Sequence, residues 1–256
     1  AEDWKPTTLF LVVESGRHYN IHVNEQRVKP DKGWWLDRSF DRFPILGAIR
    51  GGRNRITLHC SPMRKDVEPA ACYLIGDFSV GGYSFASEPT MPAWYQRYQQ
   101  VVLRIDDVPQ IGPNEDLEVD DWLRQGLPFY SGSVLYSGTV RLDRPNGRRR
   151  ARLVLDDWVG VLAQVRVNGN DAGIIAWPPS HLDVSAYVIP GDNQLEVRLI
   201  SSLRNTLGPL HWRSVDGFVH PAALGFGSDD RYLPEQDYSL QKHGLMRAPV
   251  IELLEP

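Results

Sequence analysis

Apolar residues in this chain recur mostly at every second position, in short runs separated by turn-forming residues. The clearest case spans Ala163 to Leu199. Ala163, Val165 and Val167 point one way and Gln164 and Arg166 the other, the two-residue period of a strand with one buried side. Asn168-Gly169 follows, the pair that best tolerates positive φ at both centres of a tight hairpin turn. Trp177-Pro178-Pro179 and Leu182-Asp183-Val184-Ser185 come next. The turn Gly191-Asp192-Asn193 then leads into a second alternating run, Leu195, Val197 and Leu199.

The same order of signals occurs earlier. Thr8 to Val13 is an apolar run, and Tyr19, Ile21 and Val23 alternate with His18, Asn20 and His22 up to Asn24. Trp34-Trp35, Phe43-Pro44-Ile45, Gly51-Gly52-Arg53-Asn54 and the alternating Ile56, Leu58 and Cys60 complete it. The pattern predicts one β-rich unit written twice, with Asn24 matching Asn168 and Asn54 matching Asn193. Glu25 stands where the second unit has Gly169, so the first hairpin turn is expected to differ. Tyr73 to Phe78 reads as the closing strand of the first unit. Phe129 to Gly132 leads into Val134, Tyr136 and Leu142, an opening strand pair with no counterpart before Thr8. The first unit is therefore expected to lack its opening strands, and the chain to be the C-terminal piece of a longer polypeptide. Pro92 to Gln100 suits a helix with Trp94, Tyr98, Val101 and Ile105 near helical spacing, whereas Val101 to Ile105 alone suits a strand. The acidic stretch Asp106 to Asp121, with Pro109 and Pro113, reads as a solvated linker. The expected fold is all-β, two tandem jelly-roll β-sandwiches, with modules at 1–112 and 113–256.

Composition narrows the function. The 256 residues are 42% hydrophobic and 23% charged, as in a water-soluble globular protein, and the 22 Gly and 19 Pro fit many turns. A net charge of −4 gives no reason to expect a nucleic acid or an anionic membrane as partner. No apolar run approaches the ~20 residues of a membrane span. Ala1-Glu2-Asp3-Trp4 has none of the features of a secretion signal. Cys60 and Cys72 are too few for a disulfide scaffold, and pairing between them is left open by the sequence. Arg148-Arg149-Arg150 after Pro145-Asn146-Gly147 reads as a solvated hairpin tip.

Three blocks carry a resemblance: Gln125-Gly126-Leu127-Pro128-Phe129-Tyr130-Ser131-Gly132, Val167-Asn168-Gly169 with Trp177-Pro178-Pro179, and Ser201-Ser202-Leu203-Arg204-Asn205-Thr206-Leu207-Gly208-Pro209-Leu210-His211. Together they resemble the galactose-binding-like jelly-roll modules of bacterial multi-domain glycoside hydrolases. These include the sugar-binding domain of glycoside hydrolase family 2 and the C-terminal modules of large α-L-rhamnosidase-like enzymes. The likeness covers 121–254 well and 8–78 more loosely. It implies repeated eight-stranded antiparallel sandwiches in a secreted or periplasmic enzyme whose catalysis sits in a separate barrel. Such modules bind glycan or brace the barrel, so the implied partners are an oligosaccharide or polysaccharide and the parent's catalytic domain.

The residues themselves offer little catalytic chemistry. A glycosidase needs two carboxyl groups about 5–5.5 Å or 6.5–9.5 Å apart. Glu14, Asp37, Asp77, Glu118, Asp183 and Glu196 are candidates only in being acidic, and Asp183 reads as capping backbone N–H groups. His18 and His22 share a strand face but lack a third metal ligand, and His181, His211, His220 and His243 are scattered. The sequence contains no nucleophile elbow, P-loop or dinucleotide fingerprint, since Gly225-Phe226-Gly227 lacks a third glycine. No cofactor is expected. The resemblance allows a structural calcium, with Asp106, Asp107, Asp229 and Asp230 as candidates.

What remains is aromatic. Sugar C–H faces pack on flat rings while polar side chains satisfy the hydroxyls. The candidate binding residues are Trp177, Tyr130, Trp212, Trp122, Gln125, Trp35 and Asp37. Trp177 leads, because the adjacent prolines hold it at low entropic cost. Of the adjacent Trp34 and Trp35, one should face inward and the other outward. Asn205, Gly208 and Pro209 read as structural. The expected function is a non-catalytic carbohydrate-binding or ancillary module pair. A purely structural scaffold docking on a catalytic barrel is the alternative, favoured by an apolar patch around Leu210 and Trp212, and a small free-standing glycosidase is a third reading.

Overall fold

A computed structural model describes residues 5–63, 65, 67, 71–86, 100–142, 150–208, 210–212 and 232–254. The helix-or-strand segment 92–99, the tip at Arg148 and Arg149, His220, Gly225 to Gly227, Asp229, Asp230 and Pro209 lie outside these residues. The protein is all-β. Among the described residues, helix is confined to one short segment and two 3-10 turns. The chain divides into two compact units, Ala1–Ser79 with Ile111–Glu115, and Val80–Gln110 with Asp116–Pro256. The sequence pattern draws its boundary at 112/113, whereas here the chain leaves the first unit at Ser79 and returns to it briefly at Ile111.

In the first unit the strands are β1 (Leu9–Glu14), β2 (Asn20–Val23), β3 (Gln26–Val28), β4 (Trp34–Trp35), β5 (Asp37–Pro44), β6 (Ile56–His59) and β7 (Cys72–Gly76). They form antiparallel sheets in the orders β4-β5-β1-β7 and β3-β2-β6. Leu9, Leu11 and Val13 from β1, Ile21 and Val23 from β2, and Phe43 and Ile45 meet in one buried core. The alternation read from the sequence is what places them on one face. His18 belongs to the 3-10 turn Gly16–His18 rather than to β2, so it does not share a strand face with His22. Cys60 and Cys72 are both free thiols.

The second unit takes most of β8 (Ser79–Phe85) and β9 (Gln100–Gly112), then β10 (Ser133–Leu142), β11 (Arg150–Val154), β12 (Trp158–Val159), β13 (Leu162–Val167), β14 (Asn170–Ile175), β15 (His181–Asp183) and β16 (Gly191–Ile200). The helix α1 (Arg204–Leu207) and strands β17 (Asp237–Gln241), β18 (Gly244–Leu245) and β19 (Val250–Leu254) follow. Its sheets run β10-β16-β13-β14 and β15-β11-β19, with the small pair β12-β18. A further sheet, β17-β9-β8, has its own core of Val101, Leu103, Ile105, Leu123 and Leu240. Two corrections follow. The segment read as a linker is strand as far as Gly112, because β9 continues beyond the apolar run alongside β8, and Val134 to Leu142 is one strand rather than a pair.

The repeat is visible bond by bond. Asn24 and Asn168 both sit at positive φ, 54° and 50°, a conformation Asn adopts at low cost. Asn168 Nδ2 donates to Tyr187 O (2.8 Å) and Asn193 Oδ1 (2.9 Å), and its Oδ1 accepts from Gln194 N (2.9 Å). Asn24 Nδ2 donates to Ala48 O (2.9 Å) and Asn54 Oδ1 (3.0 Å), and its Oδ1 accepts from Arg55 N (3.0 Å). Asn193 and Asn54 then bind their own turns alike. Each accepts a backbone N–H four residues back, and each donates to that residue's carbonyl and to the one two residues back. Further along, Val184 N donates to Ala151 O and Ile45 N to Leu9 O. These ties equate β11 with β1, β13 with β2, β14 with β3, β16 with β6 and β19 with β7. The first turn does differ, since Gly169 has φ 79° whereas Glu25 is not among the positive-φ residues.

Candidate functional site

The predicted binding residues separate into buried and exposed groups. Trp122 opens the 3-10 turn Trp122–Gln125, in which the Asp121 carboxylate accepts from the Leu123 N–H as N-cap. Its ring is fully buried, its Nε1 donates to Tyr136 Oη at 2.6 Å, and it packs against Tyr130 and stacks on His243. Trp212 is also buried, edge-on to Tyr232 at 5.1 Å. Neither ring has a face open to a sugar, so in this structure both are core residues. Among the described residues Leu210 is half-buried and Trp212 buried, so these two offer no exposed apolar patch of the kind that would favour the scaffold alternative. Gln125 braces its own loop: its Oε1 accepts from Glu118 N at 2.7 Å and its Nε2 donates to the carbonyls of Glu118 and Asp121.

Tyr130 is at the surface, with its hydroxyl donating to Ser133 O at 3.1 Å. Trp177 is the most exposed of the aromatic candidates, 76% open, between the end of β14 and Pro178-Pro179. The prolines restrict the backbone on one side and β14 ends two residues before it on the other, so the ring projects from a short, constrained loop.

In the first unit, β4 and β5 bring Trp35 opposite Asp37 across Leu36, which has φ 61°. Trp34 is 54% exposed, whereas Trp35 is half-buried against Tyr73 (5.2 Å) and Phe40 (5.9 Å, edge-on). Trp35 thus lies with Tyr73 and Phe40 on the outer face of the sheet, and neither ring turns into the core, where the alternation expected one of them. Asp37 Oδ1 accepts from the Ser39 N–H (2.6 Å) and hydroxyl (2.7 Å), which hold its carboxyl below the usual range. Phe40 and Tyr73 were not legible as partners of Trp35. They come from β5, whose run of polar residues hides the strand, and from β7, over thirty residues further on.

The two modules differ on this sheet face. Phe10 of β1 lies opposite Ile75 of β7, and Val12 opposite Tyr73. In the second module the position equivalent to Phe10 is Arg152, ion-paired to Glu252 at 2.6 Å. Antiparallel sheets commonly leave one face solvated. The second module follows that rule with a surface ion pair, while the first carries apolar residues there, with Arg42 stacked over Phe10.

The remaining candidates serve local structure. Asp183 accepts from Ser185 N and Oγ, as the capping reading expected. Asp77 accepts from the N–H and hydroxyl groups of Thr7 and Thr8, which push its pKa far below the carboxylate range. Glu196 pairs loosely with Arg166 on the outer face of β16. Asn205 is structural, exchanging amide bonds with the Gln241 backbone at 2.7 and 2.8 Å. Asp106 accepts from Ser84 Oγ, and among the described residues no three His, Cys, Asp or Glu side chains gather as metal ligands. An open groove of about 400 Å³ beside the Asn24 turn is lined by Val23, Asn24, Glu25, Gln26, Ala48 and Arg50, with no aromatic ring. Among the described residues no helix is long and apolar enough to cross a membrane.

Comparison with known proteins gives the context. No family model matches the sequence. An 84-residue stretch, 32% of the chain, is 32% identical to a Formosa agariphila protein named "Putative beta-glucuronidase" and spans 7% of it. Among solved structures, the chain is similar to a rhamnosidase from Novosphingobium sp. PP1Y, with TM-score 0.39, 17% identity, and coverage of 96% of this chain and 22% of that one. It is also similar to a Ruminococcus gnavus β-glucuronidase (TM-score 0.34, 13% identity, 69% of this chain and 28% of that one). A Streptomyces avermitilis α-L-rhamnosidase gives TM-score 0.33, 13% identity, and coverage of 98% and 24%. The chain thus spans between 7% and 28% of the lengths of these proteins, and its similarities fall among glycoside hydrolases.

Proposed function

We propose that this chain is an ancillary, non-catalytic part of a glycoside hydrolase, a pair of jelly-roll sandwiches that hold glycan through exposed rings. The observation that carries the reading is Trp177, a large ring left in water on a loop stiffened by two prolines. Exposing so much apolar surface costs free energy that a stacked sugar face recovers. Trp35, opposite Asp37 across the strand pair, forms a second candidate contact, with a carboxylate to accept hydroxyl donors. The sequence match to the Formosa agariphila protein supports the enzymatic context. The substrate, the catalytic partner and a secreted or periplasmic setting belong to this proposal.

Titration of the purified chain with a panel of plant and host oligosaccharides, followed by tryptophan fluorescence, tests it. Saturable quenching should be weakened at least tenfold by Trp177→Ala, with the melting temperature unchanged. Silence across the panel removes the binding role. The apolar face around Phe10, Ile75 and Tyr73 favours a second reading, in which the first module braces the parent's catalytic domain.

A further inference from the structure

The repeat supplies an internal control for the edge of the first module. In the second module β16 lies between β13 and β10, paired with β10 from Ser133↔Ile200 to Leu142↔Gly191. Its inward residues Leu195 and Val197 are 6% and 1% exposed. The equivalent strand β6 pairs with β2 in unbroken register and, among the described residues, with no other strand. Matching Arg55 to Gln194 through their bonds to Asn24 and Asn168 puts Ile56 at the Leu195 position and Leu58 at the Val197 position. Ile56 is 37% exposed and Leu58 half-buried. Two core positions are thus wetter at the edge where, among the described residues, no third strand pairs.

The backbone points the same way. Asn24 N donates to Arg55 O at 2.6 Å. Alternation in an antiparallel ladder puts the next β2-facing groups at Thr57 and His59, so the N–H and C=O groups of Ile56 and Leu58 face outward. Exposed edges are commonly blunted by Lys, Pro, inward charges or bulges. Ile56-Thr57-Leu58-His59 has no Lys, Pro or acidic residue and no register shift.

We propose that β6 is a strand-acceptor edge, taking an antiparallel extended segment from outside residues 1–256 that completes the sheet as β10 does in the second module. The chemistry of the occupant follows from β10, where Val134, Tyr136 and Val140 alternate on the core side, with Tyr136 opposite Val197 and Gly138 opposite Leu195. An aromatic or branched apolar residue should therefore face Leu58 and a small one Ile56. Backbone bonds would supply affinity and alternate side chains register. This inference is independent of any glycan role.

A synthetic peptide with the sequence Ser133 to Leu142 is the probe, and residue-resolved amide exchange of the full chain is the readout. In the free chain, the amides of Ile56 and Leu58 should exchange much faster than those of Thr57 and Leu11. Adding the peptide should slow Ile56 and Leu58 at least tenfold, and a scrambled peptide should not. Ile56→Lys, which turns a charge inward at an already exposed position, should abolish the effect while Leu11 and Ile21 stay protected. Protection of both amides in the free monomer overturns the proposal, as does failure of the peptide to alter them. Concentration-dependent self-association that protects the same amides names a second copy as the occupant and overturns the stated one.

Discussion

Asn193 is fully buried and meets every hydrogen-bonding capacity of its amide: two acceptor bonds on Oδ1 and two donor bonds on Nδ2. Truncation to alanine leaves the carbonyls of Ile189 and Gly191 and the Asn168 amide short of partners, at about 1–3 kcal/mol for each buried group left unpaired. Asn193→Ala should therefore destabilise the second unit by at least about 2 kcal/mol in denaturant unfolding. Asn193→Asp should do worse at neutral pH, because it points a carboxylate oxygen at two carbonyls, and should recover as the pH falls towards 4. His243 and Asp121 titrate in opposite senses. Burial pushes the His243 imidazole below the ordinary value of 6.5, with Arg204 adding to it, while its bond to Gln241 O opposes. The unfolded histidine takes up its proton near pH 6.5, so the stability it contributes is full above that pH and declines as pH falls towards the lowered folded value. Burial raises the Asp121 carboxyl, so that group favours the fold in acid and its contribution is lost as pH rises from about 4. His243→Gln should flatten the stability curve between pH 6.5 and 5, and an unchanged slope there would remove the histidine from the account. Sequence pattern found Asn168 through its turn and matched Asn54 with Asn193, but it could not show the two amides of each pair bonded, since they lie 25 and 30 residues apart.

Among the elements, alternation made β2, β13 and β16 legible because each has one dry face and one wet one, and β6 because Ile56 and Leu58 alternate with Thr57 and His59 along the sequence. It failed on β5, where Asp37-Arg38-Ser39-Phe40-Asp41-Arg42 carries too many polar residues to show a period. There Asp41 faces inward and is held by Arg17, through both its N–H and its Nε, so a buried position reads as polar. The aromatic ring candidates divided for a related reason. Trp122 and Trp177 have the same residue type and both lie near turns, but only tertiary packing decides which ring the core covers. The sheet faces of β1 and β11 offer an element-level test. If the apolar pair Phe10 and Ile75 serves an outside contact rather than the fold, grafting the second module's ion pair, Phe10→Arg with Ile75→Glu, should shift the unfolding free energy by less than about 1 kcal/mol, in the range of surface pairs. A loss several times larger, measured by thermal or denaturant unfolding, would make that face part of the first module's own core.

At the scale of the whole molecule, the doubling of the blueprint was readable because turn residues and strand period recur in the same order. The additional sheet β17-β9-β8 was not, for β17 follows β9 by more than a hundred residues and Tyr238 meets Leu103 only in the folded state. Such long-range pairing leaves no local period to find. The paired-amide fastening described for Asn24–Asn54 and Asn168–Asn193 reaches beyond this chain. It rests on two small side chains and on main-chain groups that every sequence possesses, so diverging modules can replace nearly all other residues and still keep it. An asparagine closing one strand, and a second 25 to 30 residues later just before the next, is therefore a ruler for recognising further cousins of this architecture after ordinary alignment has faded.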